Sequence, residues 1–122
     1  MRNVRIDTEA GAQETLFQWC EYQQGKYPEL ALLYHVPNGG KRDTKTAIAL
    51  KRQGVKAGVP DLHLPVARGA YHGLYIELKV GDNKATVSQK QWLRRLNDEG
   101  YLAVVCYGWQ EAAECIVKYL EL

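Results

Sequence analysis

A four-stranded mixed sheet flanked by helices is the fold that the sequence predicts: an α/β (α+β) domain with element order α-β-α-β-β-α-β-α. Three observations carry this. Residues 61–66 and 71–80 alternate apolar and polar side chains, the period-two pattern of half-buried strands. Residues 101–107 form a nearly continuous apolar run, as in a strand covered on both sides. Segments 8–24, 86–99 and 109–120 repeat apolar residues at helical spacing.

Thr8 caps the first helix, and Glu9 puts a negative charge in its first turn, where the helix dipole favours one. Ala12, Leu16, Trp19, Cys20 and Gln23 form its inward stripe, and Gly25 to Pro28 break it. Leu30 to Val36 reads as a short apolar strand. Pro37-Asn38-Gly39-Gly40 is turn-forming; it lacks the lysine and the spacing of a phosphate-binding P-loop. Thr44 to Gln53 reads as a second helix, with Ala47, Ile48 and Leu50 apolar and Gly54 as its stop. Two strands follow, Asp61 to Val66 and Tyr71 to Val80, and Gly81-Asp82-Asn83 ends the second. Thr86-Val87-Ser88-Gln89 has the form of a capping box. The helix it opens runs to about Glu99, with Gln89, Trp92, Leu93 and Leu96 on one face and Gly100 closing it. After the strand Tyr101 to Tyr107, the last helix, Trp109 to Leu120, turns Ala112, Ala113, Ile116, Tyr119 and Leu120 inward.

At 122 residues the default is a single domain, 1–122, long enough to bury a core without staples. Hydrophobic content of 46% with 25% charged residues is that of a globular protein. There is no apolar run long enough to span a membrane, and Met1 to Asp7 lack an apolar signal region, so a cytoplasmic setting is expected. Cys20, Cys106 and Cys115 lack metal-type spacing and read as small core hydrophobes. A net charge of +2 does not by itself predict nucleic-acid binding. Its distribution says more: Lys41, Arg42, Lys45, Lys51, Arg52 and Lys56 fall together with a single acid, Asp43, among them. Such a patch is either a phosphate footprint or a solvated helix face.

The chemistry concentrates in Gly58-Val59-Pro60-Asp61-Leu62 and Tyr75-Ile76-Glu77-Leu78-Lys79. If both apolar sets face one core, alternation puts Asp61, Glu77 and Lys79 together on the opposite face. Converging carboxylates bind a hard divalent cation through oxygen, and a lysine beside them suits a phosphate or an attacking water. The plainer alternative is an ordinary cross-strand charge pattern. Gln89 either only closes its capping box or reaches the carboxylates. Glu9 and Gln13 point inward or along the edge of the first helix's inward face, whereas Glu14 and Glu21 point away, so direction favours Glu9 as a third acid. Its alternative is a simple dipole partner. His35, His63 and His72 do not make a metal set; His63 shares the Asp61 face and is a weak candidate for contact with the site.

These pieces taken in order resemble the VRR-NUC domain, a branch of the PD-(D/E)xK nuclease superfamily, in its small stand-alone viral and bacterial form. The matching residues are Glu9 with Gln13, His35-Val36-Pro37-Asn38-Gly39-Gly40-Lys41-Arg42, Gly58 to Leu62, Gly73 to Lys79, and Thr86-x-x-Gln89. The likeness covers nearly the whole chain. Thr86 stands where many members have serine, and it keeps the capping hydroxyl. The resemblance implies a restriction-endonuclease-like fold and metal-dependent hydrolysis of phosphodiester bonds in DNA. Small stand-alone members are associated with homodimers that cut branched DNA, including four-way junctions. By the same resemblance Asp61, Glu77 and the backbone carbonyl of Leu78 hold magnesium, with manganese able to substitute, and Glu9 joins directly or through water. Lys79 orients or activates the attacking water, and Gln89 assists. Asn38, Lys41, Arg42, Lys45 and Lys51 are the expected DNA contacts, and the setting is a bacterial cell or a phage-infected host. Two alternatives stand beside this: a less selective flap or single-strand nuclease, and a non-catalytic DNA-binding module. The intact Asp61, Glu77 and Lys79 argue against the second. Trp19, Tyr22, Tyr27, Tyr34, Trp109 and Tyr119 are more large aromatics than such a core must bury, leaving some for a dimer interface.

Overall fold

Thr8 opens the first helix: its hydroxyl accepts the Gly11 N–H at 3.0 Å, and α1 runs Glu9–Gln23. In the computed structural model residues 4–37 and 43–122 are described. After α1 the expected strand over residues 30–36 is largely absent. Pro28–Leu32 is a 3-10 turn instead, and only Tyr34–His35 pair as a strand, β1. The reason is local. Pro28 begins the turn, and Leu30 and Leu33, three residues apart, both face the core, which suits three residues per turn rather than two.

Helix α2, Thr44–Arg52, is capped by the Asp43 carboxylate, which accepts the Thr46 N–H at 2.8 Å. It buries none of its residues, and Ile48 remains 48% exposed. The apolar residues on it therefore do not cover the sheet; α2 stands off the core.

The remaining strands are β2 (Leu62–Leu64), β3 (Leu74–Lys79) and β4 (Leu102–Tyr107). The sheet order is β1-β2-β3-β4, antiparallel in the first two pairings and parallel in the last. Strands β2 and β3 are shorter than their alternation suggested. Pro65 lacks the N–H that a ladder needs, and Tyr71 turns back to bridge Arg68.

One sheet face lies under two helices, α1 and α4 (Gly108–Leu120), which also pack on each other. Ala12, Leu16 and Cys20 meet Ala112, Ala113, Ile116 and Tyr119 over Leu62, Leu64, Leu74, Ile76 and Leu78. Fully burying one such leucine or isoleucine is worth about 1.5–3 kcal/mol. The Tyr119 hydroxyl donates to the Val66 carbonyl at 2.6 Å, so the one polar atom of that core ring is satisfied.

Helix α3, Val87–Asp98, packs against β4 without fully burying any residue. Near its end, the Asn97 side chain donates to the Ala103 carbonyl at 2.9 Å and accepts the Ala103 N–H at 3.1 Å. A side-chain amide thus substitutes for a neighbouring strand on β4. Cys20 and Cys106 are buried and Cys115 half-buried, all as free thiols. Among the described residues no helix is long and apolar enough to cross a membrane.

Candidate active site

Gly58 sets the approach of Asp61 to the sheet. Its φ is +94°, and an added Cβ would lie 2.8 Å from the Ser88 carbonyl carbon and 2.9 Å from Trp92 Cδ1. Conformation and space both demand glycine there. The loop before Asp61 is thereby pressed onto the first turn of α3, where Gln89 sits.

From this position the Asp61 carboxylate accepts the Leu78 N–H at 2.8 Å. The register Leu62 to Ile76, continued one step, brings Asp61 level with Glu77. Glu77 is only 2% exposed. One of its oxygens, Oε2, accepts from Gln89 Nε2 at 3.1 Å and lies 3.4 Å from Lys79 Nζ. The other, Oε1, is buried and has no hydrogen-bond partner among the described residues. Burial first, and then the neighbouring Asp61 carboxylate, push the Glu77 carboxyl up to about 8; Lys79 pulls the other way and only partly offsets them. Lys79 is itself 7% exposed, so this ion pair is held largely away from water.

Gln89 does both things the sequence allowed. Its Oε1 accepts the Thr86 N–H at 2.8 Å, completing the capping box, while its Nε2 holds Glu77. The cap fixes the rotamer, and the rotamer aims the amide at the carboxylate.

Glu9, Ala10, Gln13, His35, Asp61 and Leu78 line a cleft of about 200 Å³. Glu9 and Gln13 thus reach the site from α1, while Glu14 is not in the lining. The Glu9 carboxylate is tied to Asn83 Nδ2 at 2.8 Å. Among the described residues no three acidic, histidine or cysteine side chains lie close enough to form a metal cage. Asp61 and Glu77 converge, and Glu9 stands at the rim.

The donor set fits a hard cation with few protein ligands. Its oxygens are carboxylate, and one of them is buried without a hydrogen bond among the described residues, a costly arrangement that a cation would relieve.

His35, which the sequence reading named only within the matching motif and gave no role at the site, stands at it. Its Nδ1 lies 3.0 Å from the Asp61 carbonyl, to which it donates, and its ring lines the cleft. Only the pairing of His35 with Leu62 in β1–β2 brings it there. His63 goes elsewhere. It stacks on Tyr75 and bonds the Tyr34 hydroxyl, and burial pushes its imidazole below the ordinary histidine range. Lys45 and Lys51 are exposed on α2. Asn38, Lys41 and Arg42 lie outside the described residues.

The sequence model of the VRR-NUC domain matches residues 7–110. A solved structure described as a VRR_NUC domain protein is similar to this chain with a TM-score of 0.82 and 38% sequence identity, covering 100% of this chain and 93% of the other. No curated protein matches it. The family match runs from before Glu9 to beyond Gln89 and takes in every residue of the carboxylate cleft, and the shared fold extends over the whole length: the chain belongs to the VRR-NUC family of nucleases.

Proposed function

We propose that this protein is a divalent-metal-dependent, structure-selective DNA endonuclease that hydrolyses phosphodiester bonds in branched DNA, four-way junctions included, and acts as a homodimer. Glu77 carries the reading: a carboxylate out of water, beside a second carboxylate, with one oxygen held by Gln89 and Lys79 and the other without a hydrogen bond among the described residues. Asp61, Glu77 and the Leu78 carbonyl would hold magnesium, or manganese in its place, with Glu9 joining directly or through water. The bound cation supplies Lewis-acid polarisation of the phosphoryl oxygen and acidifies water.

The chain's own residues do the rest. Gln89 keeps Glu77 in one orientation. Lys79 orients the attacking water and places a positive charge against the phosphate as its charge grows. The Leu78 N–H holds the Asp61 carboxylate against the edge of the cleft. Exposed Lys45 and Lys51 bind the phosphate backbone without reading sequence.

A cleavage panel of duplex, nicked, flapped and four-way DNA, with and without magnesium or manganese, tests this. Metal-dependent cutting strongest on four-way DNA is expected. Asp61→Asn or Glu77→Gln should lower the rate at least about a hundredfold, the scale of removing one charge-stabilising group, with DNA binding retained. Full activity of either variant would overturn the assignment.

A further inference from the structure

The open face of the sheet carries a row of aromatic rings beside the carboxylates, and hydrolysis alone gives it no task. Strand register sets the row: Tyr34 pairs with His63, and His63 with Tyr75. It lies two residues along the strands from Asp61 and Glu77, about 7 Å, on the same face. Tyr101, just before β4, meets both His63 and Tyr75 edge-on, at 6.3 and 5.3 Å between ring centres.

The row is built rather than incidental. His63 and Tyr75 stack at 4.1 Å with 4° between their planes. The Tyr34 hydroxyl lies 2.7 Å from His63 Nδ1, with the two rings 5.3 Å apart and nearly perpendicular. Tyr34 is therefore anchored at its tip while 48% of it faces solvent. A ring already fixed in place loses little freedom when a flat partner stacks on it.

The row meets the cleft through Asp61, which lines the cavity and lies two residues before His63 on the same face of the sheet. A strand whose phosphate sits at the carboxylates brings a neighbouring nucleotide to Tyr34. In a paired duplex that base hides its faces in the helix stack; an unpaired base turns one outward, and aromatic side chains take it with little regard to sequence.

We infer that Tyr34, braced by His63 and Tyr75, is a stacking platform for an unpaired base next to the scissile phosphate. This rests on the nuclease reading and deepens it: within branched DNA the cut falls where a nucleotide unstacks at the branch, and the ring row, not the carboxylates, selects that position.

The test uses flapped DNA carrying the fluorescent base 2-aminopurine at successive positions around the cut, bound by protein with Glu77→Gln to stop turnover. One position should be quenched. Adding Tyr34→Ala should abolish that quenching and weaken binding to flapped DNA about 5- to 100-fold, leaving blunt duplex unaffected; Tyr34→Phe, which keeps the ring, should retain most of both. Unchanged quenching in Tyr34→Ala overturns the inference, as does an equal loss on blunt duplex. So does conversion of a dimer to a monomer in sedimentation with quenching intact, which would make the row a contact between copies. If the unmutated chain neither binds nor cuts any DNA, the nuclease reading falls as well. If it cuts and Tyr34→Ala matches it on every substrate, only the platform falls.

Discussion

Glu77 holds its proton far above the ordinary carboxylate range because it is buried beside Asp61. In the metal-free protein this links stability to pH. The unfolded carboxyl titrates near 4.5 and the folded one near 8. The favourable term is therefore complete below pH 4.5 and is lost as pH rises towards 8, with a slope of at most about 1.4 kcal/mol per pH unit. Thermal unfolding in chelator between pH 5.5 and 9 should show wild type losing stability relative to Glu77→Gln as pH rises. A divalent cation held as proposed would favour the ionised form, so added magnesium should restore wild type most at the alkaline end. Parallel curves for the two proteins would refute the coupling. Much of this site was legible from residues alone: alternation gave the shared face of Asp61, Glu77 and Lys79, and helix direction gave Glu9 and Gln13. His35 was not, because its place depends on how β1 registers on β2, and two residues of strand carry no readable period.

At the scale of elements, period and capping served well where a segment packs on the core. The stripe of α4 and the caps of α1 and α3 appear as the sequence implies. They misled where packing overrode propensity, as in Pro28–Leu32, whose apolar residues suit a strand but whose buried members lie three apart. Helix α2 is the opposite case: a sound helical segment that the core does not use. Its exposure leaves Lys45 and Lys51 available to phosphate. Reversing both charges to glutamate should weaken binding to duplex, flapped and four-way DNA alike. It should also flatten the dependence of log affinity on log salt by up to about 2. Titrations at several salt concentrations measure both, and an unchanged slope would mark α2 as a merely solvated face.

For the whole molecule, the aromatic surplus that suggested a dimer is smaller than a count implied. Tyr119 is core, and Tyr27 is tied to Glu121 at 2.8 Å. Trp19 and Trp109 still line a groove between α1 and α4, and Tyr22 is 86% exposed. Cutting both strands of a four-way junction needs two sites related by symmetry, which a two-fold pair supplies. Sedimentation at micromolar concentration should therefore give a dimer. A monomer, free and on junction DNA, would contradict this and favour a single-cut flap or strand nuclease. The packing of α1 on α4 also sets an order of events. Asp61 and Glu77 come from neighbouring strands joined by a short connection, whereas α1, which brings Glu9, takes its seat from residues 108–120. Short closures form before long ones. On a ribosome the acid pair thus emerges while the first helix still lacks its main support. Full seating of Glu9 in the cleft should therefore come late, once residues 108–120 have left the ribosome and backed α1.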